Sequence, residues 1–206
     1  MISISKRDDG LYWPDTDVEG YKWINDELYM TDTIIETCSK RRSIIHGGAN
    51  VGTYTLKYAN AFDKVYSFEP DRVNFRCLSL NTVDKDNVFL YQAALGNQYS
   101  TVSLVNGAPD NCGAFAVIPQ GDIPMLTIDT LNLNDVDCIH LDAEGFEFFI
   151  LHGAINTMNK SNPLIVVEWF DHGERYGWRR NDLIDFLVSI GYNNMKQIGS
   201  DMMFKK

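Results

Sequence analysis

A chain of 206 residues with 45% hydrophobic and 22% charged side chains is built to fold, and its length suits one α/β domain (1–206) better than two marginal cores. The formal net charge of -10 repels phosphate backbones and no dense Lys/Arg stripe offsets it, so nucleic acid is not an expected partner. No run approaches ~18 apolar residues, the first ten carry no long apolar core, and Cys38, Cys77, Cys112 and Cys138 lack CxxC spacing; a reduced cytoplasmic protein without a membrane partner is expected.

Residues 1–32 are rich in turn formers and aromatics and read as an irregular N-terminal arm. Its rings, Trp13 foremost, either flap over a substrate cleft or pack against a sheet edge, as large aromatics generally do. Thr31 to Cys38 resembles a short helix. The apolar run at Ile44 then breaks into Gly47-Gly48-Ala49-Asn50-Val51-Gly52, and Val51, Tyr54, Leu56, Tyr58, Ala59 and Phe62 give the next segment a helical apolar face. A strand stopping in a tight turn at a helix N-terminus leaves free N–H groups for an anionic or polar ligand. The strand Lys64 to Phe68 ends in Glu69-Pro70, placing a carboxylate where a ribose diol is held in doubly wound nucleotide-binding folds. Ala49 stands where a G-x-G-x-x-G turn has its central glycine, and its methyl obstructs a pyrophosphate. A nucleoside without a pyrophosphate fits better, such as S-adenosylmethionine.

Asp71 to Asn81 reads as a helix and Asn87 to Gln92 as a strand, followed by the small residues Ala93 and Ala94. Helical spacing then disappears: Thr101 to Val105 alternates, turn signals follow, and Ala114 to Ile118 is apolar, so residues 101–124 are a small antiparallel β insertion. Thr127 to Leu131 is a helical turn, Asp137 to Leu141 a strand running into Asp142-Ala143-Glu144-Gly145, and Phe146 to Met158 a helix. Pro163 to Phe170 is apolar enough for a parallel strand buried on both faces. A helix from Arg180 to Ile190 and a hairpin from Tyr192 close the chain. This rhythm predicts an α/β, doubly wound, mostly parallel sheet with helices on both faces. His46, Glu69, Gln92, Asp142 and Glu168 each fall at a strand end, where such sheets bind ligands.

Gly48-Ala49-Asn50-Val51-Gly52, Phe68-Glu69-Pro70 and Leu141-Asp142-Ala143-Glu144-Gly145-Phe146-Glu147, in that order, resemble the FkbM-type methyltransferases. The resemblance implies a seven-stranded, Rossmann-like class I methyltransferase fold and S-adenosylmethionine as cofactor. It implies a cofactor site at His46, Gly48, Ala49, Asn50, Gly52, Glu69, Pro70, Gln92, Ala93 and Asp142. It also marks Asn111 and Gly113 as acceptor-side candidates, although turn chemistry alone explains an Asn-x-Gly unit. His46 departs from the family, which usually has an acid there.

Methyl transfer to a hydroxyl needs alignment and a base. Asp142 is the base candidate by position and His172 by its titration near neutrality, with Glu168, Glu144 and His140 further choices. The acceptor expected is a neutral hydroxyl-bearing small molecule such as a sugar, packed on Trp13, Tyr12 or Trp169 and touched by Glu144. A divalent metal on Asp142 and its neighbours suits oxygen ligands, but no spacing demands one, and no residue is assigned to it. An NAD-dependent oxidoreductase and a non-catalytic nucleoside-binding module are the alternatives.

Overall fold

The structure, a computed structural model, describes residues 3–206. A hairpin of Ile4–Lys6 (β1) and Tyr12–Pro14 (β2) leads into the helix Glu19–Thr37 (α1). Strands and helices then alternate through Ser43–Gly47 (β3), Thr53–Ala59 (α2), Lys64–Phe68 (β4), Arg72–Asn81 (α3) and Val88–Tyr91 (β5). Four strands follow: Ala94–Leu95 (β6), Ser100–Asn106 (β7), Phe115–Pro119 (β8) and Ile123–Leu126 (β9). The alternation resumes with Val136–Leu141 (β10), Glu147–His152 (α4), Ile155–Ser161 (α5), Leu164–Glu168 (β11) and Arg180–Ser189 (α6). Asn194–Ile198 (β12) and Asp201–Lys205 (β13) form the closing hairpin.

The main sheet has seven strands in the order β12-β13-β11-β10-β3-β4-β5, parallel from β11 to β5, with β13 antiparallel between β11 and the edge strand β12. Successive strand residues face opposite ways, and both faces are apolar. Ile45, Ile139, Ile165 and Phe204 pack with Leu151, Met158, Leu183 and Leu187 of α4 to α6. Ile44, Val65, Cys138 and Val166 pack with Met30 and Ile34 of α1 and Tyr54 and Tyr58 of α2. The doubly wound expectation therefore holds. The four named cysteines are free and buried. Among the described residues no helix is long and apolar enough to cross a membrane.

Four local expectations are corrected. The arm is not irregular: its first two residues lie outside the described ones, but the rest is a hairpin and most of a 19-residue helix. Thr31 to Cys38 is only the end of α1, whose inner stripe (Ile24, Leu28, Met30, Ile34) is interrupted on the outside by exposed Trp23 and Tyr29. Trp13 has no exposed surface. It is walled in by Val51, Cys77 and Cys112 and meets Tyr21 edge-on, so packing and not substrate contact is its role. The helix expected from Phe146 to Met158 is two helices broken at Gly153. A Cβ there would lie 2.0 Å from the Gly96 carbonyl oxygen, while the Asp129 carboxylate accepts from the Asn156 and Thr157 amides and restarts the helix.

The β insertion is larger than expected, because β6 and β9 join β7 and β8 in a four-stranded sheet ordered β6-β9-β7-β8. It stands beside the carboxyl ends of the main-sheet strands through Ala94 and Leu95, which follow directly on β5.

Candidate active site

Beyond the carboxyl ends of β3, β4, β10 and β11 lies a cleft with two chambers that share Gly48, Asn50, Gly113, Asp142 and Glu144. The first chamber is walled by Phe68, Glu69, Pro70, Asn74, Ala93 and Ala94. The second, a cleft of about 950 Å³, is walled by Trp23, Glu27, His46, Tyr54, Glu168 and His172, among others.

The glycine turn works by shape. Gly48 has φ +82°, and a Cβ there would sit 1.7 Å from the Asp142 carbonyl oxygen, so only glycine lets the β3 and β10 ends approach so closely. The expected free N–H groups are not there. Gly48 and Ala49 donate to the Phe68 carbonyl (3.0 and 2.9 Å), Asn50 to Glu69 Oε2 (2.7 Å) and Gly52 to the Ala49 carbonyl (2.9 Å). These donors are engaged inside the protein, which leaves them none for a pyrophosphate.

Glu69 is 5% exposed and held by two backbone amides, Asn50 on Oε2 and Asp71 on Oε1 (2.8 Å). Burial pushes its carboxyl up to about 8, against the pull of those N–H groups. Asn74, which the sequence did not single out, is 2% exposed in the same wall. Its amide nitrogen donates to the Cys112 carbonyl (2.6 Å) and its Oδ1 has no partner.

Two cofactor-site expectations, Gln92 and Gly52, are not placed in the cleft. The Gln92 side chain is exposed in a separate surface hollow with Arg72 and Arg76, just past the end of β5, while Ala93 next to it is buried. Ala93, Pro70 and Asn50 do line the first chamber, and Ala49 lines the second. Gly52, at φ +96°, packs on Leu78 and lines neither chamber.

His46 is 1% exposed, with Nδ1 3.0 Å from Thr55 Oγ1 and Nε2 without a partner. Burial, then the neighbouring His140, drives its pKa well down, so the imidazole is neutral. His140 lies outside the cleft, fixed between the Tyr58 hydroxyl (2.7 Å) and Asp201 Oδ2 (3.1 Å), and is corrected as a base candidate. Trp169 faces Phe204 and Tyr12 packs with the Trp13 cluster, so neither offers a ring to the cleft; Trp23, Tyr54 and Phe170 line the second chamber instead.

Asp142, Glu144, Glu168 and His172 do converge. Asp142 opens onto both chambers, while protein crowds it on its other sides. Its side chain is exposed to the cleft, and the protein packed behind it, then the charges of Asp201 and Glu144, raise its carboxyl above the ordinary range. His172 Nδ1 lies 3.1 Å from Glu144 Oε2 and 3.5 Å from Glu168 Oε2, close in distance but short of hydrogen-bond alignment. Burial raises both glutamates, most strongly Glu168. Glu144 reaches His172 because its own backbone is left-handed (φ 52°) and Gly145 follows at φ 93°. A Cβ on Gly145 would lie 2.4 Å from the His172 carbonyl carbon, and the Gly145 carbonyl accepts from Trp178 Nε1 at 2.9 Å, which clamps the two loops together. Glu147 supports the same turn, accepting from the Ala143 and Gly145 amides. Asn111 and Gly113 border the second chamber, with Asn111 Oδ1 accepting from the Gly113 amide (2.8 Å) and buried Asp17 accepting from Cys112 (2.8 Å).

A model of the methyltransferase FkbM domain matches residues 46–193. Among solved structures, an FkbM methyltransferase from Methylobacillus flagellatus superposes with TM-score 0.56 at 18% identity, over 80% of this chain and 43% of that one. This chain thus spans less than half of that protein. A precorrin-8w decarboxylase from Methanobacterium thermoautotrophicum gives 0.55 at 14% identity, over 88% of this chain and 89% of its own. A SAM-dependent methyltransferase from Aquifex aeolicus gives 0.52 at 13% identity, over 88% and 90%. No curated protein matches the chain.

Proposed function

Since the chain belongs to the methyltransferase FkbM domain family, we propose that it transfers a methyl group from S-adenosylmethionine to a hydroxyl of a sugar or other small molecule. The observation that carries this is the placing of a buried, doubly held Glu69 in one chamber and the Glu144–Glu168–His172 cluster in the other, with Asp142 open to both. The wall of the first chamber fits the cofactor's nucleoside. Glu69 keeps lone pairs for a ribose diol, the unpartnered Asn74 Oδ1 asks for a donor, and Phe68, Ala93 and Ala94 provide an apolar face for a flat ring.

When bound, the cofactor supplies an electrophilic methyl on a sulfonium. The chain's own work is to align the acceptor and to take its proton. His172 faces two carboxylates through Nδ1, and a small ring rotation lets Nδ1–H donate to Glu144 or Glu168. Nε2 would then be the nitrogen placed to take the acceptor hydroxyl's proton. Asp142, between the chambers, would offer a carboxylate partner to the cationic end of the cofactor. His46, neutral, orients by hydrogen bonding where the family's usual acid would add charge. A cytoplasmic setting suits four free cysteines.

Calorimetry with S-adenosylhomocysteine and with NAD tests the cofactor. Binding of the first, weakened by about 1.5–3 kcal/mol in Glu69→Ala, is expected. Tight NAD binding without any response to S-adenosylhomocysteine would overturn the assignment.

A further inference from the structure

Charge is distributed unevenly in the second chamber. Four carboxylates line it, those of Glu27, Asp142, Glu144 and Glu168, and neither chamber's wall contains a lysine or an arginine. Among the described residues, the basic side chains against them are His172, within the cluster, and Arg175, 4.0 Å from Glu144. On the methyl-transfer reading, the cofactor accounts for Glu69 and Asp142. Glu27, Glu144 and Glu168 remain on the acceptor's side.

Two further features of the wall ask for a ligand. Trp23 and Phe170, 60% and 49% exposed, border the same chamber, and apolar rings left open beside carboxylates match the faces that hold organic cations. His46, almost wholly buried in that wall, has a ring nitrogen with no protein partner. Glu27 comes from α1 and Glu168 from β11, so the carboxylates are brought together by tertiary folding and not by one acidic run of sequence.

We infer that the acceptor is a small hydroxyl-bearing amine, an amino sugar or amino alcohol. Its ammonium rests between Glu27 and the Trp23 and Phe170 rings while its hydroxyl meets His172. This inference rests on the methyl-transfer reading and replaces the neutral acceptor expected from the sequence. A neutral sugar would leave Glu27, half-buried and hydrogen-bonded to the Ser200 side chain, without a counter-charge. A lone divalent ion could sit among Glu144, Glu168 and His172, whose ligand atoms lie within 4.8 Å of one another. It would leave Glu27 and the two open rings unexplained, and the chamber is far larger than an ion.

The test uses the full chain loaded with S-adenosylhomocysteine, titrated with glucosamine, galactosamine and ethanolamine. Each is compared with its neutral match, glucose, galactose or ethylene glycol. Turnover of the same pairs is followed with S-adenosylmethionine. At least one amine should bind and react about tenfold or more better than its match, in line with a desolvated ammonium on a ring and a carboxylate. Glu27→Gln and Trp23→Ala should each remove most of that preference by raising KM, with S-adenosylhomocysteine affinity unchanged. Equal use of both members of every pair, or no binding by any amine, overturns the inference while leaving the cofactor assignment standing. A requirement for added magnesium or manganese that is abolished by chelator also overturns it, since the carboxylates would then belong to the ion. Failure to bind S-adenosylhomocysteine at all overturns the methyl-transfer reading instead. A methyl found on nitrogen would support the cationic class and overturn the hydroxyl assignment.

Discussion

Replacing Glu69 by glutamine probes the electrostatics of the first chamber without removing the side chain's shape. In the fold the carboxyl titrates at about 8, raised by burial from an ordinary 4.5. Between those values the folded chain keeps a proton that the unfolded chain has released. The group's contribution to stability is therefore present in full below the unfolded value and is lost as pH rises towards the folded one. The loss is about 1.4 kcal/mol per pH unit within that window. Glutamine also carries a fixed penalty. It sets an amino group against one of the Asn50 and Asp71 amides, which costs about 1–3 kcal/mol at every pH. The diagnostic is thus the slope and not the size of the difference. Urea denaturation of both proteins at about pH 5.5, 6.5 and 7.5 should show the wild type's advantage shrinking by roughly 3 kcal/mol across the series. A gap that stays constant would mean that Glu69 ionises at its ordinary value in the empty protein, and the account of its burial would be wrong.

Three further outcomes are expected. His172→Ala should slow methyl transfer by about 10²–10⁴, the usual worth of a positioned base, with S-adenosylhomocysteine affinity changed little in calorimetry. Asp142→Asn should remove charge beside the cofactor's cationic end, lowering S-adenosylmethionine affinity more than that of uncharged-sulfur S-adenosylhomocysteine; equal effects on the two would place its role elsewhere. Trp178→Phe deletes the buried hydrogen bond to the Gly145 carbonyl. It should cost about 1–3 kcal/mol in a melt and lower kcat, because the loop carrying His172 loses its clamp.

The sequence by itself determined the main sheet and the residues at its strand ends. The runs at Ile44, Val65, Ile139 and Val166 are apolar on both sides, as a strand covered by helices on both faces must be, and that pattern is local. Gly48, Glu69, Asp142 and Glu168 were legible for the same reason: where a strand stops, its terminal residues open onto the ligand side. Tertiary structure alone decided what met what. Whether Gln92 or Ala93 faced inward depended on the path the chain takes after leaving β5. Trp13 was buried by Val51, Cys77 and Cys112, all distant in sequence. The turn's N–H groups found partners in Phe68 and Glu69 of the neighbouring strand. Asn74, Trp23, Glu27 and Phe170 carry no motif and reached the cleft only because α3, α1 and the β11 loop fold over it. Periodicity reports which side of an element is covered. Which partner covers it is fixed by long-range packing, where the cleft's walls and their charge arise.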